Sequence, residues 1–487
     1  MPRKIPRLLW AALPLTGLLY FYGLGSVGMI GPDEPRYASI ARAMARTGDW
    51  VTPQLWGQPW FEKPPLLYWM SAGAFRLGLG PDWAPRLPVA LAAVAFLVFF
   101  WRMLDREFGC FTARMSTLML ATMAGWVGFS QVGHMDLLLT ASFSAAVLLT
   151  LPWVSKGDTR LLPWASAMLG IAVLAKSLVP LVLIAPLAIW GRGRWKDLLR
   201  LRVTAPFLVI TLPWYILCYL RNGATFLNDL FWRQQVERLT SGALLHVRPW
   251  WFYAPVVLGL LVPWTPLLAL LFRRGLYRET RRAFLLAIVL WGLAFFSIAA
   301  NKLPGYVLPL LPALAVLMGS ALAERPRAAT GLLAVCALLL VLYPVAVPLL
   351  PYAVAEGISH APRPAFNPLW LAPLAVALLA WLLTRRERIL AAVFWVAAGA
   401  AIGTIGLKAE AANRIESMAS AESLWRQIAA DPGQVCVEEA VDRLDRGWRY
   451  GLNYYSGTPL PDCTLEPKPV RIVHSPGKPP QVAHEGG

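Results

Sequence analysis

The sequence predicts an all-α polytopic membrane domain of about thirteen transmembrane helices over residues 1–408. A small external α/β domain over 409–475 and a disordered tail over 476–487 are expected to follow it. Three observations carry this prediction. Of 487 residues, 57% are hydrophobic and 15% charged, with a mean hydropathy of +0.53; soluble proteins hold about 45–50% apolar and about 25% charged residues. The apolar residues fall in long runs broken by basic or Pro/Gly-rich clusters, which is the pattern of membrane spans. The net charge of +18 is divided unevenly between the two sets of connections that these runs define.

The runs are 8–28, 86–101, 115–130, 137–154, 161–176, 178–191, 203–220, 251–272, 283–300, 304–323, 328–350, 367–384 and 389–407, with 161–191 read as a tight hairpin of two short helices. The basic start MPRKIPR predicts a cytoplasmic N-terminus, and the first run is expected to be a retained anchor because no small-residue cleavage site stands out after it. Alternating sides from there places 102–114, 155–160, 192–202, 273–282, 324–327 and 385–388 in the cytoplasm. With the N-terminus these segments hold 23 Lys/Arg and 7 Asp/Glu, and the rest of the chain holds 22 and 20. The excess positive charge therefore reads as an orientation signal spread over seven short segments, not as a nucleic-acid footprint.

Two external segments exceed simple connectors. Residues 29–85 are rich in Trp, Pro and charge. They are expected to contain a helix on the membrane surface around Pro35–Arg46, where EPRYASIARAMARTG has helical spacing and ends at Gly48. In the C-terminal part, Glu416–Ala430 reads as a helix, and Gln434–Glu438 and Arg471–His474 read as strands.

Charge in or beside a membrane is costly, so each such residue is a functional candidate. In GPDEPRY, Asp33 and Glu34 follow the first span and precede Arg36 and Tyr37; the pair reads either as a helix cap or as a source of a general base. WGQPWFEKPPLLYW carries Glu62 and Lys63 among aromatics, either as an interfacial belt with a snorkelling lysine or as a phosphate-binding pair stiffened by Pro64–Pro65. QVGHMDLLLT places His134 and Asp136 at the mouth of a span, Asp136 reading as a cap or as a carboxylate opposing Asp33. Lys176 is the one charge between Arg160 and Arg192 and needs an anionic partner if buried. RQQVERLTSGALLHVRPWWFY contributes Arg233, Glu237, Arg238, His246 and Arg248, and NKLPGYVLP contributes Lys302 and Tyr306. The alternation puts all six groups on the external side, which predicts an active site at that membrane surface with paired carboxylates and enough cations for phosphate.

No Walker loop, GxGxxG, HExxH or GxSxG motif is present, so soluble nucleotide chemistry and common hydrolase schemes have no support. Of five cysteines, Cys110, Cys218 and Cys336 lie in or near spans without metal-ligand spacing. Cys436 and Cys463 share the external domain, where an oxidising compartment permits a disulfide. No metal site is assigned. No cofactor is assigned either, and a divalent metal is left open.

The stretches GPDEPRYASIARAMARTGDWVTPQLWGQPWFEKPPLLYW, QVGHMDLLLTASF, LAKSLVPLVL and FFSIAANKLPGYVLPLLPAL give the chain a resemblance to polyprenyl-phosphate-sugar glycosyltransferases of the GT-C class. It most resembles the bacterial lipid A aminoarabinose transferases and their protein mannosyltransferase relatives. The resemblance implies catalytic carboxylates at Asp33 and Asp136, and donor-phosphate contacts from Arg36, Tyr37, Glu62, Lys63, Lys176, Arg238 and Tyr306. Gln235 stands where aminoarabinose transferases carry a histidine. The implied protein is a monomer in the bacterial inner membrane, with a periplasmic C-terminal domain, an undecaprenyl-phosphate-linked sugar donor, a lipid or glycan acceptor and no nucleic acid partner. Two rivals stand beside it: a protein O-mannosyltransferase, and a transporter or flippase for a lipid-linked sugar, which predicts polar residues at mid-bilayer and on both faces.

Overall fold

The computed structural model describes residues 7–237, 248–324, 330–355, 357–428, 432–438, 445–474 and 479–484. Helical segments occupy each of the thirteen apolar intervals. Among the described residues, eight helices are long and apolar enough to cross a membrane, or nine if the bent pair Trp250–Leu260 and Thr265–Phe272 is one crossing. The chain is thus a multi-pass membrane protein.

The first helices in order are α1 (Arg7–Phe21), α2 (Asp33–Thr47), α3 (Leu66–Arg76), α4 (Leu87–Phe108), α5 (Cys110–Thr122), α6 (Ala124–Ser130), α7 (Met135–Lys156) and α8 (Leu162–Lys176). Besides the bent pair in 251–272, the intervals 115–130 and 178–191, each read as a single helix, are broken. The run 115–130 divides at Met123, whose backbone is extended, and Ala124 donates its N–H to Val262 O at 2.9 Å. The second arm of the hairpin is two short turns, Val179–Leu183 and Leu187–Trp190, because Pro180 and Pro186 each open a new turn.

Helix α7 is apolar around its whole circumference, which suits a helix surrounded by protein; 94% of its most apolar window is buried, as is 89% of that of Pro304–Glu324. The spans at Leu201–Arg233 and Pro368–Arg385 are only 22% buried and form the outer layer. The two central elements thus meet near the starts of α7 and of Pro304–Leu310, where the charged residues of the site lie.

Helix α2 starts two residues before the expected Pro35 and ends as expected, with Gly48 in the left-handed region (φ 75°). Asp33 and Glu34 occupy its first turn, where the helix dipole favours negative charge. Neither α2 nor α7 has a side-chain cap, so the capping readings of Asp33 and Asp136 do not hold. Nor does α2 lie free on the lipid surface: it packs between α3 and the helix Arg446–Ser456. A hairpin, β1 (Gln54–Leu55) and β2 (Gln58–Pro59), precedes α3.

The C-terminal part contains a three-stranded sheet in the order β3 (Val435–Val437), β4 (Val470–Val473), β5 (Gln481–His484), parallel then antiparallel. Leu424, Val435, Val437, Leu452 and Ile472 fill its core, and Cys436 is disulfide-bonded to Cys463. Within the expected disordered tail, Gln481–His484 forms strand β5 and pairs along all of β4, which supplies backbone hydrogen bonds that the polar, proline-flanked segment does not advertise.

Candidate active site

A buried ion pair fixes the start of α2. Glu34 and Arg86 are 2% and 3% exposed, and the guanidinium grips the carboxylate through Nε and Nη2, both at 2.7 Å. Arg86 also donates to the carbonyls of Leu24 (3.1 Å), Val27 (2.5 Å) and Gly28 (2.9 Å), so all five of its N–H donors are used. Glu34 additionally accepts from the amides of Gly133 (2.7 Å) and Ile30 (3.3 Å). Burial alone would raise the Glu34 pKa, but the Arg86 charge and these donors hold it below the usual carboxylate range. One pair thus ties α2 to the exit of α1 and to the turn between α6 and α7.

With α2 fixed, its next residues enter a continuous chain of charged groups. Arg36 Nη2 lies 2.5 Å from Asp33 Oδ1 and 3.0 Å from Glu62 Oε2. Glu62 also pairs with Lys63 at 3.5 Å and accepts from Trp60 Nε1 at 3.3 Å. On the other side of Asp33, His134 Nε2 stands 3.9 Å from Asp33 Oδ2, and its Nδ1 stands 3.5 Å from Asp136 Oδ2. Asp136 forms an ion pair with Lys176, whose ammonium sits 4.3 Å over the ring of Tyr306. Lys63, Glu62, Arg36, Asp33, His134, Asp136, Lys176 and Tyr306 therefore form one sequence of contacts drawn from distant segments. Tyr37 packs its ring 5.6 Å from His134 and 6.0 Å from Tyr68.

The burial of these groups separates their roles. The side chains of Glu34, Glu62 and Asp136 are 2%, 6% and 10% exposed, whereas that of Asp33 is 30% exposed. Asp33 is thus the carboxylate of this cluster most open to an incoming molecule. Burial alone would depress the His134 pKa, but its hydrogen bond to Asp136 and the nearby carboxylate charges raise it above the ordinary value. The imidazole between two carboxylates is therefore biased toward imidazolium.

Lys302, from the sixth sequence group, is 5% exposed and donates to the carbonyls of Arg248 (3.1 Å) and Ala299 (2.5 Å), a structural role. Arg238 and His246 lie outside the described residues. Among the described residues no group of three or more His, Cys, Asp or Glu stands together as a metal cage. Sequence reasoning missed three contributors. Arg86 was counted as the edge of an apolar run, although an ionisable residue at a span end was itself a signal. Gly305 has no room for a side chain, since a Cβ there would sit 2.7 Å from Asp136 Oδ2. Tyr450 reaches the cluster from the C-terminal domain, with its ring 5.3 Å from the Arg36 guanidinium, and nothing in its local sequence marks it.

A model of the family described as dolichyl-phosphate-mannose-protein mannosyltransferase matches residues 62–217. The chain is 34% identical over 339 residues to undecaprenyl phosphate-alpha-4-amino-4-deoxy-L-arabinose arabinosyl transferase 2 of Pseudomonas fluorescens, a match covering 66% of this chain and 58% of that protein. A transferase from Pseudomonas aeruginosa, named for the same reaction, is 33% identical over 65% of this chain and 60% of its own length. The chain thus spans about three-fifths of the length of these curated relatives. The crystal structure of ArnT from Cupriavidus metallidurans bound to undecaprenyl phosphate superimposes with a TM-score of 0.78 at 27% identity, covering 95% of this chain and 89% of that one. The same protein in its apo state gives 0.73 at 26% identity, covering 96% and 86%.

The fold is of the GT-C type seen in the ArnT structures, and residues 62–217 are similar to the mannosyltransferase family. Within that class it is similar to the undecaprenyl phosphate-aminoarabinose transferases, by sequence over two-thirds of its length and by fold over nearly all of it.

Proposed function

We propose that the protein is an integral membrane glycosyltransferase that moves a sugar from a polyprenyl phosphate donor to lipid A or a related cell-envelope acceptor. The observation that carries this reading is the Asp33–His134–Asp136–Lys176 chain, flanked by Arg36, Glu62 and Lys63. It presents one accessible carboxylate beside several buried cations, the pairing that attack by an acceptor and departure of a phosphate require. The similarity to proteins named as undecaprenyl-phosphate-dependent transferases, and to one solved with undecaprenyl phosphate, supports the donor class.

In this reading Asp33 orients the acceptor nucleophile and takes its proton where the nucleophile is a hydroxyl. Arg36, Lys63 and Lys176 are held in place by Asp33, Glu62 and Asp136, so their positive charge is oriented before the phosphate begins to leave. Imidazolium at His134 adds a further positive charge between the two aspartates. Asp136 acts mainly by holding Lys176 and His134. Arg238 is assigned to the donor phosphate on the family resemblance alone. The orientation, with the N-terminus cytoplasmic and the C-terminal domain periplasmic, rests on the charge asymmetry; the monomeric state and the inner membrane rest on the family resemblance, and all are part of the proposal.

Asp33→Asn in the purified chain, reconstituted in nanodiscs, tests the reading. Turnover is expected to fall at least 100-fold while undecaprenyl phosphate still binds; full turnover in the variant excludes Asp33 as the carboxylate that orients the acceptor. The match to the mannosyltransferase family model favours a second acceptor class, protein Ser/Thr hydroxyls, which mass spectrometry of the glycans and lipids lost on deletion distinguishes.

A further inference from the structure

The C-terminal domain does more than cover the membrane domain. Its helix Arg446–Ser456 packs on α2, and Tyr450 belongs with the hydrophobic core of the membrane domain instead of the small domain's own core. The Arg36 guanidinium lies 5.3 Å from the ring of Tyr450 and 5.3 Å from that of Tyr37, so it contacts an aromatic ring from each domain. Tyr450 is in turn stacked on Trp56 at 5.5 Å and 21°. Trp56 lies in the turn of the β1–β2 hairpin with φ 53°, a region that bulky residues rarely adopt. Two buried donors on the side chains against Tyr450, Arg36 Nε and Trp56 Nε1, have no acceptor among the described residues.

Separate contacts dock the helix. Tyr455 OH donates to Asp82 at 2.8 Å and accepts from the Met29 amide at 2.8 Å, and Tyr454 OH donates to Pro81 O at 2.7 Å. Ahead of the domain, Glu416 in the helix Ile389–Ala419 accepts from Gly28 N at 2.7 Å. None of these contacts touches Arg36. The ring of Tyr450, near the middle of the helix, does touch it.

We propose that Tyr450 is a positioning residue of the active site: its ring, backed by Trp56, fixes the Arg36 guanidinium so that its free Nε–H faces an anionic oxygen of the donor phosphate. The C-terminal domain is then part of the donor-binding machinery. A cation held against aromatic faces loses freedom without losing charge, since the ring supplies no competing formal anion. This inference rests on the proposed donor class.

The test measures binding of undecaprenyl phosphate to the full chain in nanodiscs, together with its thermal midpoint. Tyr450→Leu removes the π face and is expected to weaken binding about tenfold with little change in midpoint. Tyr450→Phe keeps the face and is expected to stay within twofold of the parent. Tyr455→Phe removes the docking hydroxyl and is expected to lower the midpoint with affinity unchanged. Should Tyr450→Leu fail to fold, Trp56→Leu, which removes only the backing ring, is expected to weaken binding severalfold. Unchanged affinity in the folded Tyr450→Leu variant, or equal weakening by Tyr450→Phe, overturns the inference. Failure of the parent chain itself to bind undecaprenyl phosphate overturns the donor assignment, a result distinguishable from either.

Discussion

The Glu34–Arg86 pair allows a stability prediction with a magnitude. Arg86→Leu removes a guanidinium that serves one carboxylate and three carbonyls. Glu34, 2% exposed, would keep only its two amide donors. Breaking a buried ion pair from one side costs about 3–5 kcal/mol, and each orphaned carbonyl adds about 1 kcal/mol. The expected loss is about 6–8 kcal/mol, a large part of the ~5–15 kcal/mol that holds a typical domain folded. Glu34→Gln keeps the shape and two of the acceptor contacts, and is expected to cost about 3–5 kcal/mol. Removing both groups with Glu34→Leu and Arg86→Leu together leaves no buried charge, so the double variant should be milder than the sum of its single changes by about 2–3 kcal/mol. Denaturant unfolding in detergent micelles, followed by tryptophan fluorescence, reads all of these. If Arg86→Leu lies within about 1 kcal/mol of the parent, or the two Leu changes simply add, the pair does not anchor α2.

Gly305→Ala places a methyl group against the Asp136 carboxylate and the Phe129 ring. It is expected to lower turnover at least tenfold in a chain that still folds, and activity at the parent level would show that the Asp136–Lys176 geometry is not critical. The raised His134 pKa sets a pH dependence. Because the folded state holds the proton more tightly, the stabilisation from His134 is complete below about pH 6.5 and is lost as pH rises through the higher folded value. The donor-dependent rate is expected to fall over the same window, and His134→Gln should remove that limb of the profile; an identical limb in the variant would assign the titration to another group.

The sequence made the participants of the site legible, but not their pairings. Asp33, Glu62, His134, Asp136, Lys176 and Tyr306 were identifiable because ionisable and aromatic residues at the ends of apolar runs stand out against a hydrophobic background. Their partners were not, because contact between residues 33 and 134, or between 176 and 306, depends on which helices pack together, and apolar helices carry little information about their neighbours. Tyr450 marks the limit of local reading: in its own segment it is an ordinary aromatic of a small soluble domain. Its relevance exists only through Arg36, far earlier in the chain. The broken helices were partly legible, since Pro180 and Pro186 announced their turns. The kink at Met123 depends on the Val262 carbonyl and had no local signal.

The same distinction explains the uneven charge. In the segments assigned to the cytoplasm, many basic residues face water, as Arg160 does with its side chain 88% exposed, so counting them was enough to predict a side of the membrane. In the remaining set, 22 basic residues stand against 20 acidic ones, and around the site this near-balance arises from pairing. Arg86 is matched by Glu34, Lys176 by Asp136, and Arg36 and Lys63 by Glu62 with help from Asp33. Each of these four cations is met by a carboxylate as it leaves water, because a lone buried charge is far more costly than a pair. A phosphate arriving at such a site meets cations that are already oriented and already partly neutralised. In the proposed reading its binding draws on what the pairing leaves over: the Nε–H of Arg36, which has no acceptor among the described residues, and the raised proton affinity of His134 between two aspartates. Those two groups should tune donor affinity, a role that the sum of the charges does not reveal.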